Sequence, residues 1–292
     1  MPVDAPVPEQ VLAVLAAVTI FTVMLAVGLA IVPGEFRWVF DHPALLVKGL
    51  FAVLVAVPAI ALVVCRIADL PRAAEVGIVL MAISPGAPVA LRRSLGAGGH
   101  HAFAPALQIL VAVLAVVSLP LWVAALDEVY AGRASIAPSH LAWQVFTAQL
   151  LPLALGMLVR VAFPTHVAAF EPKLARAAGV LLFALTILVL VNVWEVVAGA
   201  GFRLAAAIAA VTALALAAGH ALAGPEAATR TAVAICSAAR NPGLALVVAT
   251  RNALPPAVAA TVLAYLVISA LIVLGYVLWR RHTGGASAPQ PP

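Results

Sequence analysis

The chain has 292 residues, of which 65% are hydrophobic and 9% charged, and its mean hydropathy is +1.16. A soluble domain runs roughly 45–50% apolar and about 25% charged, so a soluble globular fold is excluded and lipid is the solvent that suits this composition. The net charge of +5 comes from Lys and Arg scattered singly or in pairs between apolar runs, which excludes the clustered basic face that nucleic-acid binding needs.

A spanning helix takes about 20 mainly apolar residues. Nine runs meet that length in chain order: Val11–Val32, Ala44–Val64, Pro71–Ala90, Ala102–Ala125, Leu141–Val161, Leu174–Val197, Leu204–Leu222, Thr229–Ala249 and Pro255–Trp279. Breakers and charges fall between them, as in Pro33-Gly34-Glu35, Ala68-Asp69-Leu70-Pro71, Glu171-Pro172-Lys173 and Gly224-Pro225-Glu226. The fold expected is an all-α polytopic membrane protein. No cleavable signal peptide is expected, because the start carries Asp4 and Glu9 in place of a basic region. The small, polar, proline-rich tail over 282–292 is expected to be disordered.

Ten Lys and Arg fall on one side of these runs and five on the other, and Arg240 lies inside a span. The excess of positive charge marks the cytoplasmic side. It implies an external N-terminal tail over 1–10, a transmembrane domain over 11–281 and a cytoplasmic C-terminus in the cell (inner) membrane. The two cysteines, Cys65 and Cys236, fit neither a zinc spacing nor a disulfide framework and read as buried thiols.

Two runs differ from the rest. The third contains Ser84-Pro85-Gly86-Ala87-Pro88 and the eighth contains Arg240-Asn241-Pro242-Gly243. Proline removes a backbone donor and glycine loosens the chain, so helix breaks are expected at Pro85, Gly86, Pro242 and Gly243. Such breaks are tolerated at membrane depth only where protein buries them or a cavity lies beside them. The two runs are five apart, hence antiparallel, as an inverted repeat requires, and paired interruptions of this kind point to a transporter site.

These residues resemble the bile acid:sodium symporter family. Its first crossing helix carries Pro-Gly-Gly followed by Ser-Asn, and its second carries Glu-x-Gly-x-Gln-Asn followed by Gly-Leu-Ala. Here the first corresponds to Ser84-Pro85-Gly86-Ala87, with Gly96 and Gly98-Gly99 after it. The second corresponds to Cys236-Ser237-Ala238-Ala239-Arg240-Asn241-Pro242-Gly243-Leu244-Ala245. The resemblance implies a secondary transporter with two discontinuous, crossing helices. Nine spans would form a four-plus-five inverted repeat, the first over about 11–126 and the second over about 139–281.

The family's sodium-binding Glu aligns with Cys236, its Gln with Arg240, its Ser-Asn pair with Ala90 and Leu91, and later hydroxyl ligands with Gln108 and Ala112. Sodium is a hard cation that wants oxygen ligands, and most of these side chains offer none. None of the acidic residues or histidines falls at the centre of a predicted span. Anion binding without sodium, and no cofactor, is therefore expected.

Arg240 is the sharpest single signal, because a charge at bilayer depth costs about 2.5–3.5 kcal/mol on the lenient insertion scale. It reads either as part of an anion site or as an internal structural pair, using carbonyls freed at Pro242 or Pro85, or Glu195. Asn241, Ser237, Gln108 and Ser84 join it as candidate substrate-binding residues, while Gln149 and Asn192 read more readily as interhelical hydrogen bonders. His100-His101 reads as solvated histidines, and Gly96-Ala97-Gly98-Gly99 is not a phosphate loop. The function expected is transport of a small or amphipathic organic anion. A sodium-independent uniporter, exchanger or exporter is the nearest alternative, and a receptor or structural protein is a more distant one. An enzyme is not expected, since no spacing unites a nucleophile with a base or a metal cluster.

Overall fold

The structure, a computed structural model, describes residues 9–31, 41–86, 88–129, 137–199 and 201–283. Residues 1–8 and 284–292 of the expected tails, the Pro33-Gly34-Glu35 connection and the side chains of Asn192 and Glu195 lie outside the described residues, whereas Glu9 and Gln10 belong to the first helix and His282 and Thr283 to the last. The described residues form helices and their connections, with no strand among them. In chain order they are α1 (Glu9–Ala30), α2 (Pro43–Ala68), α3 (Arg72–Ala82), α4 (Pro88–Gly96), α5 (Phe103–Val129), α6 (Pro138–Ala162), α7 (Pro164–Gly199), α8 (Gly201–Leu222), α9 (Ala227–Ala238), α10 (Pro242–Arg251) and α11 (Pro256–Thr283).

Six stretches of the described residues are long and apolar enough to cross a membrane: α2, α5, α6, α8, α11 and the α9–α10 pair. The α9–α10 stretch is buried throughout its apolar window, whereas no other exceeds 50% burial over its own. That contrast follows from its break. A chain interrupted at membrane depth has backbone groups that lipid cannot satisfy, so it has to run through protein.

Both proline-bearing runs are interrupted. The first stops at Ala82 and restarts at Pro88, and the second stops at Ala238 and restarts at Pro242. In each case a proline opens the second half, where its missing N–H is one of the donors a helix start leaves unpaired anyway. Gly86 has φ +86°, a left-handed conformation that glycine reaches without cost.

Two further interruptions have no counterpart in the sequence reading. Residues Ala52–Ala56 of α2 and Phe146–Leu150 of α6 are π-helical, and each turn precedes a proline, Pro58 and Pro152. In α2 the Val57 N–H donates to the Ala52 carbonyl, one residue further back than in an α-helix. The Val53 carbonyl therefore loses its ordinary partner, and the next candidate, Pro58, has no N–H to give. The Leu54 carbonyl faces Pro58 in the same way and accepts the Trp122 indole N–H at 2.8 Å.

The helices fall into two groups. Helices α1, α6 and α7 pack on one another, and the closest crossing is Gly28 of α1 against Gly156 of α6, where an added Cβ would strike backbone on either side. Helices α2, α3, α8, α9 and α11 form the other group, with α9 also against α4 and α5, and α10 lies between the two groups, against α1 and α6 on one side and α11 and α3 on the other. Arg280 and Arg281 at the end of α11 fix the half-helices. Arg280 donates to Thr231 Oγ1 and the Ala227 carbonyl at the start of α9, and Arg281 donates to the Gly96 carbonyl at the end of α4. Helix α7 starts at Pro164 and runs through Glu171-Pro172-Lys173. That segment is not the connection expected from its charges and proline, because the chain turns at Phe163–Pro164 instead.

Candidate functional site

The two breaks meet. The Asn241 N–H donates to the Ser84 carbonyl at 2.9 Å, one extended segment bonding the other. Asn241 also caps the restarting helix, its Oδ1 accepting from the Leu244 N–H at 3.1 Å. Its Nδ2 donates to Gln149 Oε1 at 3.0 Å, and Gln149 Nε2 donates in turn to the Ala112 carbonyl at 3.3 Å. A Cβ on Gly86 would lie 3.0 Å from Gln149 Nε2. Asn241, Gln149, Ala112 and Gly86 thus form one polar junction, completed by the amide of the second π-helical turn.

Arg240 forms a second junction. Its Nη1 donates to the Val53 carbonyl at 3.1 Å and to the Ala82 carbonyl at 3.0 Å, and its Nη2 donates to Val53 at 3.1 Å. Both acceptors exist because regular hydrogen bonding has failed locally. Val53 is orphaned by the π-turn and Pro58, and Ala82 is the last residue of α3, whose final carbonyls have no partner further along the helix. The negative end of the α3 dipole also faces the guanidinium. Arg240 is 4% exposed and is the one buried charged side chain among the described residues. Of the two readings its sequence left open, pairing with backbone carbonyls is the arrangement present. The carbonyls belong to Val53 and to the end of the helix before Pro85.

The remaining candidates are distributed around these junctions. Cys236 Sγ donates to Gln108 Oε1 at 3.8 Å, which joins α9 to α5. Ser84 and Ser237 are fully buried, and their hydroxyls have no hydrogen-bond partner among the described residues. Ala90 is buried and Leu91 is half-buried. No group of three His, Cys, Asp or Glu that could hold a metal occurs among the described residues.

A cavity of about 40 Å³ borders the second break, lined by Arg240, Asn241, Pro242 and Gly243 together with residues of α1, α7 and α11. It lies on the seam between the two helix groups. A neighbouring cleft of about 130 Å³ shares Val23 and Leu182 with it and reaches Leu91 and Arg92. Gln108, Ser84 and Ser237 do not line this cavity. Arg93 does, although in the sequence it reads as half of an arginine pair beyond the end of a span. Gln149 reads as a plain hydrogen-bonding amide, and only the structure reveals that it joins the second break to α5 beside Gly86.

The sodium bile acid symporter family matches residues 17–200. The matched stretch includes the first break, Gln108, Ala112 and Gln149, and it ends before Cys236, Arg240 and the second break. No curated protein matches the chain. More than half the chain matches, and the helices around it are apolar enough to cross a bilayer repeatedly. The chain therefore belongs to the sodium bile acid symporter family and is a multi-pass integral membrane protein.

Proposed function

We propose that this protein is a secondary transporter, and not an enzyme, that moves a small organic anion by alternating access around two crossed, broken helices. The observation that carries this is the hydrogen bond from the Asn241 N–H to the Ser84 carbonyl, which joins the interruptions of two segments five apart in the chain. Paired interruptions in opposed segments are the architecture on which transporters build a central site. Membership of the family supports the same reading. In it the segments number nine, arranged as four plus five inverted repeats, with the N-terminus outside and the C-terminus in the cytoplasm of a cell-membrane protein.

Arg240 acts as a built-in cation. Its guanidinium fills the carbonyl cluster of Val53 and Ala82, a set of oxygens that would otherwise attract a metal cation. A sodium ion about 4 Å away would be repelled by roughly 4 kcal/mol at an effective dielectric of about 20, a loss of about a thousandfold in affinity. The Cys236 thiol and the Gln108 amide offer no compensating charge. The protein accordingly works without sodium, as a uniporter, exchanger or exporter of its anion. Uptake of labelled organic anions into liposomes, with sodium or choline as the bulk cation, tests both parts. Uptake that is absent from every anion tried removes the transport reading, and uptake that requires sodium removes the built-in cation.

A further inference from the structure

We propose that the groove between the end of α2 and the start of α8 is a lipid site, and that its occupant is a phospholipid with a zwitterionic primary-amine headgroup, of the phosphatidylethanolamine class. The two helices pack on each other and leave an open groove of about 680 Å³, lined from residues 64–69 and 202–210. That volume falls in the range of about 300–1,000 Å³ in which small molecules are held. Four of its nine lining residues are alanine, which leaves room that larger side chains would fill. The others include Ile67 and Phe202, the two most exposed large hydrophobic side chains among the described residues, at 80% and 87%. Such a surface calls for a hydrocarbon neighbour.

Two opposite charges line the same groove. Asp69 is the residue that ends α2, and Arg203 lies in the first turn of α8. Neither makes a hydrogen bond or ion pair with a described residue, and they do not pair with each other. Each also stands where its own helix dipole opposes it, a carboxylate at a C-terminus and a guanidinium at an N-terminus. No acidic residue balances the first turn of α8, and Arg66 in the last turn of α2 lies outside the groove. The groove therefore asks for a cation at Asp69 and an anion at Arg203. A zwitterionic phospholipid carries both on one apolar body. Its phosphate meets Arg203 and the N–H groups of the first turn of α8, its amine donates to Asp69, and an acyl chain lies along the alanines. A primary ammonium has N–H groups to give the carboxylate and a quaternary ammonium has none. A purely anionic lipid satisfies Arg203 but is repelled by Asp69. Close packing of a helix from a second copy needs small residues all along the contact, and here Ile67 and Phe202 interrupt them.

The test uses delipidated full-length protein in detergent, titrated with phosphatidylethanolamine, phosphatidylcholine and phosphatidylglycerol of identical acyl chains. Bound lipid is counted by native mass spectrometry, and stabilisation is read from thermal unfolding. Phosphatidylethanolamine should bind the wild type about tenfold more tightly than either of the others. Asp69→Asn, whose side chain tolerates the φ of +48° at this position, should abolish the preference over phosphatidylcholine. Arg203→Gln should weaken all three lipids. Ala210→Trp should fill the groove and expel the lipid with both charges still in place. Arg251→Gln removes an equal charge from the exposed end of α10, away from the groove, and should change nothing. If these variants fail to fold, the wild type alone decides through N-methylated phosphatidylethanolamines, whose affinity should fall with each N–H lost. Equal binding of phosphatidylethanolamine and phosphatidylcholine by the wild type, or a preference that survives Asp69→Asn or Ala210→Trp, would overturn the assignment. A lipid-free particle of two chains that Ala210→Trp splits would give the groove to a second copy and overturn it as well.

Discussion

Arg240 and Val53 meet through a double contact, Nη1 and Nη2 both donating to one carbonyl at 3.1 Å. They are 187 residues apart in the chain, and the carbonyl is available because the π-turn before Pro58 leaves it without a backbone partner. A buried cation and a defect in another helix thus satisfy each other.

Removing this cation should be expensive. Arg240→Met leaves the Val53 and Ala82 carbonyls buried without donors, and an orphaned buried acceptor costs about 1–3 kcal/mol. The variant should unfold at a distinctly lower temperature than wild type in the same detergent. Arg240→Lys, which keeps one charge and three donors, should fall between them. An Arg240→Met protein as stable as wild type would show that these bonds contribute little.

Gly86→Ala tests the other junction. The left-handed φ disfavours a side chain by roughly 1–2 kcal/mol, and the new Cβ would crowd Gln149 Nε2. Loss of stability of about that size is expected, together with loss of transport, because Gln149 holds Asn241. Gln149→Leu should reproduce the transport defect without the backbone strain. Measured thermal stability and uptake for the two variants separate the two causes.

The contact of α1 with α10 tests the movement. A Cβ on Gly243 would overlap the Ile20 side chain, a separation within the reach of a disulfide. In a background lacking Cys65 and Cys236, Ile20→Cys with Gly243→Cys should cross-link on mild oxidation and stop uptake, and reductant should restore it. Uptake that continues with the cross-link formed would mean that the two groups do not separate at this point during transport.

His100 gives a pH dependence with a definite sign. Its Nδ1 accepts from the Phe103 N–H at 3.2 Å and so caps α5. Burial pushes its pKa below the ordinary value of 6.5, Glu226 opposes that, and His101 and His42 add to it. The folded protein therefore favours the neutral ring. Its contribution to stability is complete above the unfolded value of about 6.5 and is lost as pH falls from there through the lower folded value. Thermal stability should drop over that window in wild type. The drop should be smaller in His100→Asn, which keeps a capping acceptor that does not titrate.

Much of this organisation is legible in the sequence. Apolar run lengths place the described helices to within a few residues except α4, which extends past Ala90 to Gly96, and α7, and Pro85-Gly86 and Pro242-Gly243 mark both breaks. Arg240 declares itself because a charge has no other reason to sit in such a run. The acceptors of Arg240 are not legible. Whether a helix adopts a π-turn ahead of a proline depends on packing against its neighbours, and nothing in Ala52–Ala56 encodes it locally. Arg93 is hidden for a different reason. Next to Arg92 it reads as part of a solvated end, and only the placement of α4 against the seam turns the two arginines to different surroundings. The proline in Glu171-Pro172-Lys173 misleads because a single proline can be carried within a long helix when its neighbours permit.

The central claim is that Arg240 takes the place of a bound cation, and the most direct measurement is benzoate affinity in sodium chloride against choline chloride. Wild type should bind equally in both. In the double variant Cys236→Glu with Arg240→Gln, which restores a carboxylate and removes the guanidinium, affinity should be lower and should gain a dependence on sodium. Wild-type binding that requires sodium would contradict the account, whatever the variant does.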